Sequence, residues 1–239
     1  SGTTGLKKGV CLSHDSVMRQ VEAYAAAIGA SPDDRVASWL PFYHDMGLIT
    51  AFIMPAIIGM PVTCLDPLEW VMRPTTLLDA IQRYRATLCW QPNFAFQHIV
   101  RLTEPGGQWD LSSLRLMINC SEPCRASTFE AFVARFTTSR LASSALSTSY
   151  AMAEAVFAVT QSRPGIRPRA GPGAATAFLS SGAVIAGTRV ELRDEHGRAV
   201  PDGQPGQIHI TGSSLFAGYH HQPALSAARI RDGWYATGD

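Results

Sequence analysis

The first ten residues of the chain hold its densest group of side chains that could bind a phosphate. These residues are glycines, hydroxyl side chains and lysines: Ser1, Gly2, Thr3, Thr4, Gly5, Lys7, Lys8 and Gly9. Glycine lets a backbone come close to a ligand, and successive N–H groups with hydroxyls and a lysine attract anions. The spacing differs from the nucleoside-triphosphate loop G-x-x-x-x-G-K-[ST], because Lys7 stands where the second glycine belongs. The composition alone therefore leaves two alternatives, a phosphate-binding loop or a solvated amino terminus.

Three further polar groups follow predicted buried strands. They are Tyr43-His44-Asp45, Gln91-Pro92-Asn93 and Cys120-Ser121-Glu122-Pro123. In a parallel sheet with helical crossovers, ligands bind at the carboxyl ends of the strands. The sequence therefore predicts that these three groups lie at one edge of a sheet.

Hydrophobic periodicity predicts the elements that position these groups. Short apolar runs predict strands at 36–40, 61–65, 86–90 and 114–119, and helical spacing predicts helices at 14–29, 75–84, 93–102 and 127–136. Two alternating segments, 188–193 and 207–211, predict half-buried strands separated by turn residues. We therefore expect an α/β fold with a largely parallel sheet and flanking helices, followed by a small antiparallel β unit. The predicted domains are an α/β core at 1–180 and a small β subdomain at 181–239.

Composition excludes several classes of protein. Only 16% of the 239 residues are charged and the net charge is +1, so the sequence shows no basic patch for nucleic acid. The longest apolar run, 51–63, is shorter than the about 20 residues of a membrane span. The five cysteines lie mostly in apolar runs, as buried reduced thiols do. We expect a cytoplasmic protein with no nucleic-acid partner and no membrane span.

Four motifs, taken together, resemble the adenylate-forming superfamily of acyl-CoA synthetases, fatty acyl-AMP ligases and nonribosomal-peptide adenylation domains. The motifs are the amino-terminal loop, Leu40-Pro-Phe-Tyr-His-Asp-Met-Gly-Leu48, Ser149-Tyr-Ala-Met-Ala-Glu154, and the closing pair Gly218-Tyr219 with Tyr235-Ala-Thr-Gly-Asp239. Lys7 departs from a more usual proline, and Ala151 and Ala153 depart from the glycine and threonine of the Tyr-Gly-x-Thr-Glu element. The resemblance covers the whole chain and implies an internal fragment of the family's large amino-terminal domain.

The resemblance implies that a carboxylate and ATP react to give acyl-AMP and pyrophosphate, with Mg²⁺ as cofactor. Thr3, Thr4, Gly5 and Lys8 would hold the β- and γ-phosphates. Tyr150, with Ser149 beside it, would stack on adenine, and Asp239 would accept the ribose hydroxyls. Ser121, Glu122 and Pro123 would lie along the adenine, although a plain strand-to-helix turn explains them almost as well.

Glu154 is the expected Mg²⁺ ligand and, with Lys8 and His44, the expected catalytic group. A carboxylate at a helix start is also favoured by the helix dipole, so Glu154 could serve both purposes. His44 would donate to the substrate carboxylate or the α-phosphate, or would instead be a structural bridge between neighbours. Tyr43, Asn93 and Phe94 are expected to line the acyl site, with ordinary core packing as the alternative for Asn93 and Phe94.

The thiol that accepts the acyl group is left open by the motifs. His-Asp-Met-Gly and Pro-Asn-Phe-Ala-Phe are typical of fatty acyl-AMP ligases, which predicts a fatty acid as the substrate. The short stretch between Glu154 and Ser181 lacks an insertion usual in those ligases, so both coenzyme A and carrier-protein phosphopantetheine stay possible. An acyl carrier protein is thus an expected partner. The alternative function is a non-catalytic, nucleotide-binding remnant or docking fragment.

Overall fold

The fold is taken from a computed structural model, which describes residues 7–104, 106–171 and 177–239. The described residues divide into two compact units, which we describe separately. The first unit joins the chain up to Tyr24 with Met152–Val159 and Val184–Asp239. The second unit comprises Ala25–Ala151 and Thr160–Ala183. The predicted division at residue 180 stays a prediction.

The described residues form strands and helices in alternation through most of the chain. The strands are β1 (Val10–Cys11), β2 (Val36–Ser38), β3 (Val62–Cys64), β4 (Leu88–Gln91), β5 (Leu116–Asn119), β6 (Leu146–Ala151), β7 (Ala158–Gln161), β8 (Ala183–Val184), β9 (Thr188–Arg193), β10 (Gln207–Gly212), β11 (Gly218–Tyr219), β12 (Ile230–Arg231) and β13 (Trp234–Ala236). The helices are α1 (His14–Ile28), α2 (Asp45–Leu48), α3 (Met54–Ile58), α4 (Pro67–Met72), α5 (Thr75–Tyr84), α6 (Asn93–Leu102), α7 (Ala126–Arg135) and α8 (Pro223–Arg229).

A seven-stranded sheet in the order β3-β2-β4-β5-β6-β7-β8 has its parallel part in the second unit. Strand β2 pairs in parallel with β3 and β4, and β4-β5 and β5-β6 are also parallel pairs. Every residue of β4 and β5 is buried, as in sheets that helices cover on both faces. Helices α6 and α7 pack together through buried phenylalanines, since Phe96 lies 5.3 Å from Phe129 and 5.2 Å from Phe132 between ring centroids. The α/β prediction is confirmed.

The first unit contains the small antiparallel sheet, in the order β12-β13-β10-β9. Its strands alternate in side-chain direction, so Tyr235, opposite Ile210 and Ile230, belongs to the buried face. A separate pair, β1 with β11, aligns Val10 with Tyr219. These strand pairings determine the positions of Tyr219 and Tyr235 in the first unit.

Helix α1 supports the turn after β6 through contacts within the first unit. Its Gln20 Nε2 donates to the carbonyl oxygen of Ala158 at 3.0 Å, and its Tyr24 ring meets the edge of Phe157 at 5.2 Å. All four residues are buried. The backbone that follows Glu154 is therefore held in place by a helix. In the part of the chain that the structure describes, no helix is long and apolar enough to span a membrane.

Candidate functional site

Glu154 lies in a tight turn between β6 and β7. The turn is a short 3₁₀ segment, Ala153–Ala155, and Met152 N donates to the Phe157 carbonyl at 2.8 Å across its base. Val156, which follows, has φ 66° and ψ −53°, a γ-turn geometry that is strained for a β-branched residue. The turn thus holds the Glu154 side chain inside the first unit, where the residue is 3% exposed.

The Glu154 carboxylate is hydrogen-bonded to a pair of buried tyrosines. Tyr219 Oη donates to Glu154 Oε1 at 2.7 Å, and the hydroxyls of Tyr219 and Tyr235 lie 2.9 Å apart. Since a phenol has one proton and Tyr219 gives it to the carboxylate, Tyr235 must be the donor between the two tyrosines. The three groups form a directed chain from Tyr235 through Tyr219 to Glu154.

Both phenols are protonated near neutral pH, and their surroundings raise the pKa of each further. Burial, with the neighbouring hydroxyl and the Glu154 carboxylate, raises the pKa of Tyr219 well above its ordinary value. Burial also raises the pKa of Tyr235 to about 12. Neither group ionises near neutral pH, so the hydrogen bond to Glu154 persists there.

Lys8, which is far from Tyr219 in the sequence, contacts the ring of the same tyrosine. Its Nζ lies 5.0 Å from the centroid of the Tyr219 ring, within the range of a cation–π interaction. The strand pair β1-β11 fixes this approach, and His220 N donates to the Gly9 carbonyl at 2.8 Å beside it. Two predicted catalytic residues, Lys8 and Glu154, are thus brought together around Tyr219. Thr3, Thr4 and Gly5 lie outside the described residues.

The charges of this cluster fit a magnesium–phosphate group. Mg²⁺ usually binds one or two carboxylates and takes its other ligands from waters and substrate phosphates, and Glu154 supplies one such carboxylate. No group of three or more His, Cys, Asp or Glu side chains that could hold a metal alone exists among the described residues. Lys8 adds a positive charge suited to phosphate oxygens.

In the second unit, the carboxyl ends of β4 and β5 carry three amides. Asn93 Oδ1 accepts from Asn119 Nδ2 at 3.0 Å and from Arg125 N at 3.3 Å. Gln91 is fully buried, and neither atom of its amide has a hydrogen-bond partner in the described chain. Asn93 is 6% exposed, so the core alternative describes its surroundings, and its acyl-site role stays a prediction.

The next predicted group, Ser121, Glu122 and Pro123, is exposed at the end of β5. Ser121 has φ 68°, an uncommon left-handed conformation for a residue with a side chain. Glu122 Oε2 accepts from Phe94 N at 2.8 Å and so satisfies the start of α6. Phe94 itself is 47% exposed. The structure brings Asn93, Phe94 and Glu122 together at this edge.

His44 begins α2 and contacts its own neighbour. Its Nδ1 lies 2.6 Å from Asp45 Oδ1, which also accepts from Met46 N at 2.8 Å. Gly47 is required here, because a Cβ would collide with the Pro41 carbonyl oxygen. This local contact agrees with the structural-bridge alternative for His44, and its catalytic role stays a prediction. Tyr43 is 88% exposed.

The remaining residues predicted to bind the nucleotide form hydrogen bonds with neighbouring strands or loops. Ser149 Oγ donates to the Thr160 carbonyl at 2.7 Å, and Tyr150 N donates to Thr160 Oγ1 at 3.3 Å. The Asp239 carbonyl accepts from Ile208 N at 3.0 Å, which ties the residue to β10. Their roles toward a nucleotide stay predictions.

Comparison with known proteins decides the family. The match to the family described as AMP-binding enzyme extends over residues 1–220. The chain belongs to the AMP-binding enzyme family. It is 36% identical over 171 residues to the medium-chain-fatty-acid–[acyl-carrier-protein] ligase JamA of Moorena producens, covering 71% of this chain and 29% of JamA. It is 32% identical over 258 residues to the long-chain-fatty-acid–AMP ligase FadD32 of Mycolicibacterium smegmatis, covering 97% of this chain and 41% of FadD32.

A solved structure is also similar to this chain. It comes from studies of fatty acyl-adenylate ligases from E. coli and L. pneumophila, and matches with a TM-score of 0.90 and 29% identity. The match covers all of this chain and 47% of that one. The chain therefore spans less than half the length of each of these relatives.

Two residues of the candidate site, Tyr219 and Tyr235, were not assigned a role from the sequence of this AMP-binding enzyme. Both stand in the quoted closing motifs, Gly218-Tyr219 and Tyr235-Ala-Thr-Gly-Asp239. Their hydrogen bonds to each other and to Glu154 join residues far apart in the chain. The signal available was the motif itself, because helical or strand periodicity does not predict such contacts.

Proposed function

We propose that the complete protein activates a fatty acid with ATP to give acyl-AMP, then transfers the acyl group to a thiol. Membership of the AMP-binding enzyme family supports the first step, and the relatives JamA and FadD32 carry the names of fatty-acid ligases. The geometric observation that carries the proposal is the contact of Tyr219 with both Lys8 and Glu154. It places a cation and a carboxylate at one side chain, as a metal-bound polyphosphate requires.

In the first step, a carboxylate oxygen of the fatty acid attacks the α-phosphorus of ATP and pyrophosphate leaves. The chain contributes position and charge rather than covalent chemistry. Lys8 would hold the phosphate oxygens on which negative charge accumulates, and Glu154 would hold Mg²⁺. When bound there, Mg²⁺ would neutralise negative charge on the phosphates.

Other residues would bind and orient the two substrates. Tyr150 would stack on the adenine, with Ser149 and the exposed group Ser121, Glu122 and Pro123 beside the nucleotide. Asp239 would accept the ribose hydroxyls, with its backbone fixed on β10. His44, Tyr43, Asn93 and Phe94 would position the fatty acid at the carboxyl ends of the strands in the second unit.

In the second step, the thiol sulfur attacks the acyl carbon and AMP leaves. We propose that the acceptor is the phosphopantetheine of an acyl carrier protein, since JamA is named as a ligase to that partner. Coenzyme A carries the same thiol and is the alternative acceptor. The two acceptors differ in the surface that must be recognised, not in the reacting atoms.

The test is fatty-acid-dependent exchange of pyrophosphate with ATP by the complete gene product, using lauric acid and Mg²⁺. We expect exchange that requires the acid, and a loss of about 10²–10³-fold in kcat in Lys8→Ala, as for other removed charge-stabilising donors. Lys7→Ala is the matched control, because it removes an adjacent exposed lysine to which no role is assigned.

Equal losses in Lys7→Ala and Lys8→Ala would contradict the role given to Lys8. Absence of exchange with any fatty acid would contradict the activation step itself. In that case, heat on titration with ATP and Mg²⁺ would indicate the non-catalytic nucleotide-binding alternative.

A further inference from the structure

Tyr219 contacts two groups that the proposed mechanism needs, and no role has been assigned to it above. The inference that follows rests on the proposed function. We propose that Tyr219 is a positioning residue that orients the Glu154 carboxylate for the metal and holds Lys8 for the phosphates, with Tyr235 fixing the direction of its hydroxyl. Its ring contacts the Lys8 ammonium group, and its hydroxyl donates a hydrogen bond to Glu154.

The Tyr219 hydroxyl supplies a hydrogen bond that the buried carboxylate needs. Glu154, Tyr219 and Tyr235 are 3%, 5% and 4% exposed, and a buried carboxylate needs hydrogen-bond donors. Tyr219 donates to Glu154 Oε1 and accepts from Tyr235. Because Tyr235 fills the acceptor side of the Tyr219 oxygen, the Tyr219 proton is directed to the carboxylate. One carboxylate oxygen is thereby fixed, which restricts rotation of the carboxylate.

The ring is held as firmly as the hydroxyl. Phe216 meets Tyr219 at 4.9 Å and Tyr235 at 5.1 Å between centroids, with its ring steeply inclined to both. Phe216 N also donates to the Glu154 carbonyl at 2.9 Å, and Tyr219 N donates to Ser226 Oγ at 2.8 Å. The aromatic cluster therefore links the backbone of Glu154 to the ring on which Lys8 rests.

The two functions of Tyr219 can be separated by substitution. Tyr219→Phe removes the hydroxyl and keeps the ring, whereas Tyr219→Leu removes both. Tyr235→Phe removes the donor to Tyr219 and leaves the Tyr219 hydroxyl bonded to Glu154. Tyr84→Phe is the matched control, because Tyr84 is a half-exposed tyrosine on α5 of the second unit.

The measurement is the Mg²⁺ dependence of pyrophosphate exchange by the complete gene product, with calorimetric titration of ATP at the same Mg²⁺ concentrations. In Tyr219→Phe we expect the half-saturating Mg²⁺ concentration to rise about tenfold, the usual weight of a hydrogen bond to a charged group. The KM for ATP at saturating Mg²⁺ should stay within about twofold, since the cation–π contact remains. Tyr219→Leu should add a rise of about fivefold in that KM, because Lys8 loses the ring.

Tyr235→Phe should shift the Mg²⁺ dependence by about twofold to threefold, less than Tyr219→Phe, and it gives a second measure if Tyr219→Phe folds poorly. Tyr84→Phe should match the wild type. An active wild type with the same Mg²⁺ dependence in Tyr219→Phe, or an equal shift in Tyr84→Phe, overturns this inference and leaves the proposed function standing. A wild type that neither exchanges pyrophosphate nor binds ATP with Mg²⁺ overturns both.

Discussion

Val156 shows how firmly the Glu154 turn is specified at the level of single residues. The valine is fully buried with φ 66°, a conformation that costs of order 1–3 kcal/mol for a residue with a side chain. Such strain persists only where the surroundings determine the backbone, and here α1 supplies Gln20 and Tyr24 against the next two residues. The strained bend directs Glu154 inward to Tyr219, so we attribute the strain to the placement of this carboxylate.

Tyr150 allows a test of the nucleotide site by one substitution. Stacking on a base contributes about 1–3 kcal/mol, so Tyr150→Ala should weaken ATP binding by about tenfold to a hundredfold. Tyr150→Phe keeps the ring and should bind ATP almost as the wild type does. Isothermal calorimetry of the complete gene product with ATP and Mg²⁺ measures both. Unchanged affinity in Tyr150→Ala would remove the stacking role from this residue.

At the level of elements, the two ends of the parallel strands differ in how fully their polar groups are bonded. At the amino ends, Arg115 forms two 2.7 Å hydrogen bonds to Asp34, whose Oδ1 also accepts from Thr87 Oγ1 at 2.6 Å. Arg115 further donates to the carbonyls of Ile28 and Gly29. At the carboxyl ends, the buried Gln91 amide has no partner among the described residues. The amino ends thus hold a bonded charge network, whereas a buried amide without a partner lies at the carboxyl ends, where we propose the acyl site.

Replacing Asp34 tests the amino-end network. Asp34 is 4% exposed, and removing one partner of a buried ion pair costs about 3–5 kcal/mol. Because Arg115 is partly exposed and water can compensate it, we expect Asp34→Asn to lower the free energy of unfolding by about 2–3 kcal/mol. Urea denaturation measures this change. Asp33→Asn, at the exposed neighbouring position, should leave stability unchanged.

The same pair predicts a pH dependence. Burial alone would raise the pKa of Asp34, but the hydrogen bonds from Arg115 and Thr87 outweigh it and hold the pKa below its ordinary value. The stabilisation is therefore present above that ordinary value and is lost as the pH falls through the lowered pKa. Between neutral pH and pH 3, wild type should lose more stability than Asp34→Asn. Parallel loss in both proteins would assign the acid sensitivity to other groups.

Local patterns predicted the elements that bury an apolar face. Helices α5 and α6 have the predicted bounds, 75–84 and 93–102, because their apolar residues repeat at helical spacing. Strand β6, Leu146–Ala151, was not predicted, since its Ser and Thr residues are typical of a loop. It is nevertheless largely buried because its hydroxyls are bonded: Ser147 to Ser162 at 2.7 Å and Thr148 to the Ser180 carbonyl at 2.7 Å.

The candidate site was predicted in part, because motifs indicate single residues but not the contacts between distant segments. Motifs indicated Lys8 and Glu154, but the contact between them runs through Tyr219, which depends on the pairing of β1 with β11. Pairings between distant segments leave little trace in one sequence. The placement of His44 also required the structure, because its contact with Asp45 is set by the backbone at the start of α2.

At the level of the whole molecule, the proposed reaction has two steps that can be separated. The first step consumes the acid and ATP and releases pyrophosphate, whereas AMP leaves only when a thiol takes the acyl group. If acyl-AMP stays bound without a thiol, pyrophosphate release should stop after a burst of about one equivalent per protein. This stoichiometry distinguishes an enzyme awaiting its acceptor from one that hydrolyses its own intermediate.

The acceptor can be identified by adding thiols after the burst in a stopped assay with lauric acid. Holo acyl carrier protein should restore continuous pyrophosphate release, because its phosphopantetheine sulfur attacks the acyl carbon and frees AMP. Apo carrier protein is the matched control: it offers the same protein surface without the thiol and should leave the burst unchanged. Continuous release with coenzyme A alone would assign the alternative acceptor, and continuous release without any thiol would contradict the transfer step. Continuous release with the holo carrier protein, but none with coenzyme A, would show that the protein surface is recognised, because the two acceptors carry the same thiol.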